Sequence, residues 1–220
     1  MQCIKDTIKN INIVIGCNIG CSYCYARMNN NRFHTIDDFN KPVFFENKLK
    51  MLNNKRHTAY LLTGQSDLSG WNEEWKDKVF SKMKENKNTQ YIFLTKRPEN
   101  INLKETPDNG WFGVTVTSSK EKTRIDYLRN NIKAKHYHIT FEPMFDDVGK
   151  LDLNNISWIV IGTETGNRKG KISSKREWVF NIYNQAKEKN IPVFMKEDLL
   201  GILNEDEFVQ EFPKEFGGIK

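Results

Sequence analysis

The chain is poor in cysteine, with four among 220 residues, and three of them fall together as Cys17, Cys21 and Cys24. So few thiols, so clustered, exclude a disulfide framework and point to a reducing, cytoplasmic setting. No apolar run reaches the ~18 residues of a membrane span, and the amino terminus has no signal-peptide core. The expectation is a soluble protein with no membrane partner. Internal repeats and low-complexity linkers are also missing, so residues 1–220 are expected to form one domain, with a core over about 11–196 and a carboxyl-terminal cap over about 197–220. Neither sign of charge dominates. Lys+Arg number 34 against Asp+Glu 28, a net +6 with a pI near 9.0. That balance permits contact with nucleic acid, although runs such as Lys76 to Lys87 read first as solvated helical faces.

What is present is a strand-then-helix alternation. Apolar runs at Ile11–Ile15, Ala59–Thr63, Tyr91–Thr95, Trp111–Thr117, Tyr137–Glu142, Ile156–Thr163 and Ile191–Met195 read as strands, with crossovers long enough for parallel pairing. The fold class is α/β. An open doubly wound sheet gives the same pattern as an incomplete TIM-type barrel of six to seven parallel strands, so periodicity leaves both open. Two runs separate their faces: Phe112, Val114 and Val116 oppose Gly113, Thr115 and Thr117, and Tyr137, Ile139 and Phe141 oppose His136, His138, Thr140 and Glu142. In a barrel the polar set faces inward, where a ligand chamber suits it better than dry packing. Between strands, Pro42 is expected to open a helix carrying Val43, Phe44, Leu49, Met51 and Leu52, and Asn29 to Asn40 a surface loop.

The chemistry concentrates in Cys17-Asn18-Ile19-Gly20-Cys21-Ser22-Tyr23-Cys24. Three thiolates at spacings of four and three residues can wrap one metal centre. A 4Fe-4S cluster has four irons, so three cysteines leave one open to a further ligand. Open positions mark reactive sites, closed ones structural sites. A zinc site completed by His34 or Cys3, in a non-catalytic nucleic-acid-binding module, and a Cys-x-x-Cys redox pair are the alternatives. Zinc sites usually pair two such knuckles, and the sequence offers one.

Further candidates lie at strand ends. Gly64, Gln65, Ser66 and Asp67 follow the second strand, where glycine and small polar groups let a charged ligand approach the backbone, or simply turn and cap the next helix. Lys96 and Arg97 end the third strand and suit a carboxylate or phosphate. Glu142, Glu164 and Lys196 close later strands at the end where parallel barrels present catalytic groups. The two glutamates can also serve only to neutralise Lys96 and Lys196. His138 joins them as an inward-facing histidine.

The C-x3-C-x2-C run, with Tyr23 before its last cysteine, resembles the signature of radical S-adenosylmethionine enzymes. Leu94-Thr95-Lys96-Arg97-Pro98-Glu99, Trp111 to Val116, Thr140 to Met144 and Trp158 to Gly166 are further similar to small radical-SAM-like proteins of phages and mobile elements, including the first member of the mobile-pair group. The resemblance implies an incomplete barrel, a 4Fe-4S cluster on Cys17, Cys21 and Cys24, and S-adenosylmethionine cleaved to a 5'-deoxyadenosyl radical. Tyr23 would then lie near the adenine, Gly64 to Asp67 would take the ammonium, Lys96 the carboxylate, and Thr115 with Thr117 the ribose. The Gly-Gly-Glu-Pro segment usual for the ammonium is missing, and Gly-Thr-Glu-Thr-Gly stands where relatives have Gly-Gly-Glu-Ser-Gly. Glu142, Glu164, His138 and Lys196 become candidate substrate contacts. Implied partners are a second radical SAM protein encoded nearby and an electron donor of flavodoxin or ferredoxin type, and the substrate leans toward a nucleic-acid base or nucleotide.

Overall fold

The computed structural model describes residues 1–54 and 58–217. A single helical turn, α1 (Ile4–Thr7), leads into β1 (Ile8–Asn10). The chain then leaves the main sheet. A tight turn, with the Ile13 N–H on the Ile11 carbonyl at 3.1 Å, redirects it into β2 (Val14–Ile15). That strand pairs antiparallel with β3 (Val43–Phe44) in a small separate sheet. The expected first strand, Ile11–Ile15, is therefore buried as read but divided between a turn and this side hairpin. Burial gives an apolar run its periodicity, whereas pairing partners decide its sheet.

Two more expectations are corrected nearby. The polar stretch after the cysteines is mostly ordered: α2 spans Tyr25–Phe33, Asn30 is buried against the backbone of Ile36, and Ile36 and Phe39 are core residues. Pro42 opens no helix, because Val43 and Phe44 are claimed by β2, and only a 3-10 segment, Glu46–Asn53, follows.

From there strands and helices alternate: β4 (Ala59–Leu61), α3 (Glu73–Glu85), β5 (Gln90–Thr95), β6 (Gly110–Thr115), α4 (Thr123–Asn131), β7 (His136–Phe141), β8 (Ile156–Ile161), α5 (Arg176–Glu188) and β9 (Val193–Met195). The strand order is β1-β4-β5-β6-β7-β8-β9, all parallel. Each strand adds beside its predecessor, with no reversal of direction across the sheet. A doubly wound sheet reverses its strand order at a switch point, so this one is singly wound, and it curls into a half-barrel.

Its convex face meets the helices. Tyr91, Phe93, Phe112, Val114, Ile139, Phe141, Ile159 and Ile161 pack with Val79 and Met83 of α3, Leu128 of α4 and Val179 and Ile182 of α5. Each such side chain contributes about 1.5–3 kcal/mol as an upper figure. α3 forms where the sequence signals it: Asn72 accepts the Trp75 N–H at 2.9 Å, Glu73 and Glu74 begin the helix, and Lys82 and Lys84 end it, matching the helix dipole.

The concave face carries a second apolar cluster. Its lower half is filled by Ile92, Trp111, Trp158, Phe194 and Phe216, the last brought in by the tail. That tail also pairs with the open edge of β9, through Met195 N–H to Val209 O and Glu211 N–H to Val193 O, both 2.8 Å. The last three residues of the expected cap lie outside the described residues. His138 sits in the middle layer, 1% exposed. Its ring lies over Gly113, where a Cβ would come within 2.3–2.5 Å of the imidazole, and Nε2 meets the Phe93 carbonyl at 3.0 Å. His138 thus faces inward, as read, but as packed interior.

Burial pushes the His138 pKa down to about 4. The unfolded chain takes up a proton here near pH 6.5, and the folded chain only near 4. Stability is therefore expected to fall as pH drops through that window, by up to about 3 kcal/mol. Urea unfolding at pH 7 and 4.5 tests this, because the His138→Gln variant should lose that part of the pH slope. Gly113→Ala should destabilise by about 2 kcal/mol at pH 7 in the same assay, since the ring has nowhere to retreat.

Candidate functional site at the carboxyl rim

In a singly wound parallel sheet every strand delivers its carboxyl end to one rim. The cysteine loop is fixed there by its backbone. Gly16 N–H bonds the Gln65 carbonyl at 3.0 Å, and Cys17 N–H bonds Phe39 O at 2.6 Å. Gly16 has φ +114°, and a Cβ there would lie 2.9 Å from the Pro42 backbone, so only glycine fits the entry to the loop. Arg27 ties the loop's start to α2, donating to the Cys17 carbonyl at 2.7 Å with its guanidinium 5.0 Å from the Phe39 ring centre. Cys24 ends the loop as the cap of α2, its sulfur accepting the Arg27 N–H. Cys17 and Cys24 are backed by Ile15, Ala26, Ile36 and Phe39.

All three thiols are free and partly exposed. Burial raises the Cys17 pKa, and Asp67, Cys21 and Cys24 push it further up, so the three sulfurs are electrostatic neighbours. Among the described residues no group of three or more His, Cys, Asp or Glu converges as a metal-holding set. The donors fit a cluster in kind and in their sharing of one backed loop; the side chains are not drawn onto one point. Cys3, the fourth cysteine, instead donates to Glu197 at 3.0 Å.

Around this loop the structure gathers most of the expected residues. Gly64 to Asp67 lies directly against it, and the Tyr25 hydroxyl donates to the Gly64 carbonyl at 2.5 Å. Ser66 accepts the Trp71 indole N–H at 3.0 Å. Asp67 accepts from Ser69 N–H and Oγ, Thr95 Oγ1 and Lys96 N–H at 2.7–3.0 Å, so its carboxylate clamps the ends of β4 and β5 together. Lys96 extends its ammonium to 5.9 Å from the Tyr23 ring centre. Tyr23 packs edge-on against Phe145 and, through burial and the neighbouring Cys21, keeps its hydroxyl protonated well above the usual range. Thr115 is buried, and Thr117 gives both its N–H and its hydroxyl to Glu121 at 2.7 Å.

Two charge groups complete the rim. Lys196, past β9, is paired with Glu142, past β7, and lies 3.1 Å from Asp198. They meet across β8 because Gly162 has no side chain: a Cβ would lie 3.1 Å from Glu142 and 3.2 Å from Asp198. Burial raises the Glu142 pKa despite Lys196, and Asp198 adds to the rise. For Lys196 burial works against the charge, but the two carboxylates outweigh it and the pKa is raised. The ammonium is thus held charged between two acids. Glu164, which could have neutralised Lys96 or Lys196, instead takes Arg168 in a two-pronged pair at 2.5 and 2.8 Å, and hydrogen bonding from Arg168 lowers its pKa.

Sequence reasoning missed Tyr25, Asp198, Arg27 and Arg168. Two left a signal: Tyr25 directly follows the last cysteine, and Asp198 lies two residues past Lys196. Arg168 also left one, lying four residues past Glu164, whereas Arg27 gave none, because its partner is a backbone carbonyl ten residues away.

The pattern of a family described as "Protein of unknown function (DUF5131)" matches residues 2–217. The chain belongs to the DUF5131 family. Beyond this family, Lipase 1 from several Staphylococcus aureus strains, N315 and COL among them, is 35% identical over 98 residues, 44% of this chain and 14% of the lipase. The aligned part is thus about a seventh of that relative. Neither Gly-x-Ser run of this DUF5131 member, Gly20-Cys21-Ser22-Tyr23-Cys24 or Gly64-Gln65-Ser66-Asp67-Leu68, closes on the second glycine of a nucleophile elbow. No solved structure matches. Among the described residues no helix is long and apolar enough to cross a membrane.

Removing Lys196 tests the rim's electrostatics. Lys196→Met leaves two partly buried carboxylates without their cation and should cost about 2–3 kcal/mol at pH 7, allowing for their residual solvent access. The deficit should shrink at pH 4.5 as Glu142, whose pKa is already raised by burial, protonates, and Glu142→Gln in the same chain should recover part of it, both measured by urea unfolding.

Proposed function

We propose that this DUF5131 protein is a radical S-adenosylmethionine enzyme, with Cys17, Cys21 and Cys24 holding a 4Fe-4S cluster at the mouth of an incomplete TIM-type barrel. The observation that carries the reading is the setting of the three thiols, on one C-x3-C-x2-C loop bonded to the loop after β4 at the rim of a parallel half-barrel. When bound, the cluster supplies the electron that splits S-adenosylmethionine, giving a radical able to abstract hydrogen from a substrate.

The chain's own residues do the rest. The loop's bonds through Gly16 and Cys17 hold the thiols in place, and the Ile15–Phe39 backing keeps water from one side of them. Burial, with Asp67 and the neighbouring sulfurs, opposes ionisation of Cys17, and a bound cation reverses that preference. Asp67 sets the Gly64–Asp67 backbone beside the thiols, so the second lone pairs of the Gly64 and Gln65 carbonyls, each already holding one donor, rather than its own carboxylate, are what the loop offers to an ammonium. Lys96 supplies a positive charge for a carboxylate beside Tyr23. Lys196, Glu142 and Asp198 face the cleft as a fixed charged wall that orients a substrate. His138 lies beneath, shaping the floor. An electron donor of flavodoxin or ferredoxin type, and a second radical SAM protein as partner, belong to this reading.

Protein purified without oxygen should carry about four iron and four sulfide per chain. Its reduced electron paramagnetic resonance signal should change on adding S-adenosylmethionine, with release of 5'-deoxyadenosine. Cys21→Ala should lose both the iron and the product. About one zinc per chain, with no such signal, would sink the proposal in favour of a metal-stabilised binding module.

A further inference from the structure

The loop after β8 has an unusual charge composition. Residues 165–176, the loop and the first residue of α5, hold five Lys and Arg and no Asp or Glu. Two of the five are matched, Arg168 by Glu164 and Arg176 by Glu207. Lys169, Lys171 and Lys175 are exposed and, among the described residues, have no carboxylate partner. The loop is fastened at its base: Ser174 donates its N–H and hydroxyl to Thr163 Oγ1 at 3.1 and 3.0 Å, and Ile172 N–H reaches Glu164 at 3.4 Å. Gly166 and Gly170, at φ +80° and +75°, turn it. Meanwhile the rim acids are occupied, Glu142 and Asp198 by Lys196 and Glu164 by Arg168, so none of them is paired with these three lysines.

A second feature lies on the same rim, where Tyr25 meets the loop after β4. α2 exposes Tyr25 at 52%, Met28 at 54% and Phe33 at 64%. Exposed apolar side chains on one helix are not by themselves a contact patch, but Tyr25 is also anchored. The Tyr25 ring is pinned by its hydroxyl on Gly64, and that hydroxyl feels the charges of Glu142 and Lys196. Those two residues end β7 and β9, and the basic loop rises from β8 between them. Cations that track a backbone beside a ring that can stack on a base are the two elements of single-strand recognition.

We propose that this surface binds single-stranded nucleic acid, with phosphates on Lys169, Lys171 and Lys175 and a base against Tyr25 at the cleft. The proposal deepens the reading above by naming the substrate class, and it rests on that reading only for the chemistry that follows binding. An acidic peptide would satisfy the lysines but would leave the pinned ring without a stacking partner.

The test is fluorescence anisotropy of a labelled mixed-sequence oligonucleotide of about twelve residues, DNA and RNA in turn, titrated with the full chain. Binding needs no cluster, so the outcome is independent of whether S-adenosylmethionine is cleaved. With three phosphates neutralised, log K should fall against log salt with a slope of about −2, or about tenfold or more between roughly 50 and 200 mM. The triple variant Lys169→Glu, Lys171→Glu, Lys175→Glu should lose at least about tenfold in affinity and most of the slope, with circular dichroism confirming its fold. Tyr25→Ala should lose about tenfold with the slope unchanged, and Tyr25→Phe, which keeps the ring but loses its anchor on Gly64, should lose only about twofold to threefold. Binding without salt dependence, a duplex or poly-glutamate bound as tightly as the single strand, or Tyr25→Ala binding like the parent would each overturn the proposal.

Discussion

Side-by-side parallel pairing in chain order is the constraint on which the rest of this structure depends. Because each strand from β4 to β9 adds next to the one before, every carboxyl end arrives at the same rim. Residues separated by more than a hundred positions, the Cys17–Cys24 loop and Lys196 among them, are thereby brought to one mouth. Backbone hydrogen bonds enforce this, and the side chains inherit it. The helices outside the curve then supply the apolar area that makes the curl stable, which leaves the concave face free to be partly polar.

How polar it can be is settled layer by layer. At the bottom, Trp111, Trp158 and Phe216 fill the space as an ordinary core. In the middle, His138 is accommodated only because Gly113 has no side chain, and its ring lies across β6 to the carbonyl of Phe93 on β5. At the top, Gly162 plays the same part for Glu142 and Asp198, which share one lysine. Two glycines on neighbouring levels thus set where the barrel is packed and where it is charged. The gradient from apolar floor to charged mouth concentrates electrostatic effects at the rim, next to the thiols.

The same rim divides its charges between internal and external work. Asp67, Glu142, Asp198 and Glu164 are each committed to partners inside the protein. Lys169, Lys171 and Lys175 stand outside those pairs on a fastened loop. A mildly basic composition of +6 says little about partners when spread evenly. It gains meaning where acids are neutralised locally and lysines are not.

The sequence by itself determined the alternation of strands and helices, the inward and outward faces of β6 and β7, and the clustering of three cysteines on one loop, because each depends on spacing along a short stretch. It also placed Glu142, Glu164 and Lys196 at strand ends. Tertiary structure decided what spacing cannot carry: that β1 begins at Ile8 and the apolar run after it turns away to pair with Val43 and Phe44, that His138 is packed over a glycine, that Asp67 is a clamp, and that Lys196 chooses Glu142 and Asp198 while Glu164 takes Arg168. Pairing of strands and ions is a competition among distant segments, and its winner is set by which groups the fold leaves closest when water is removed.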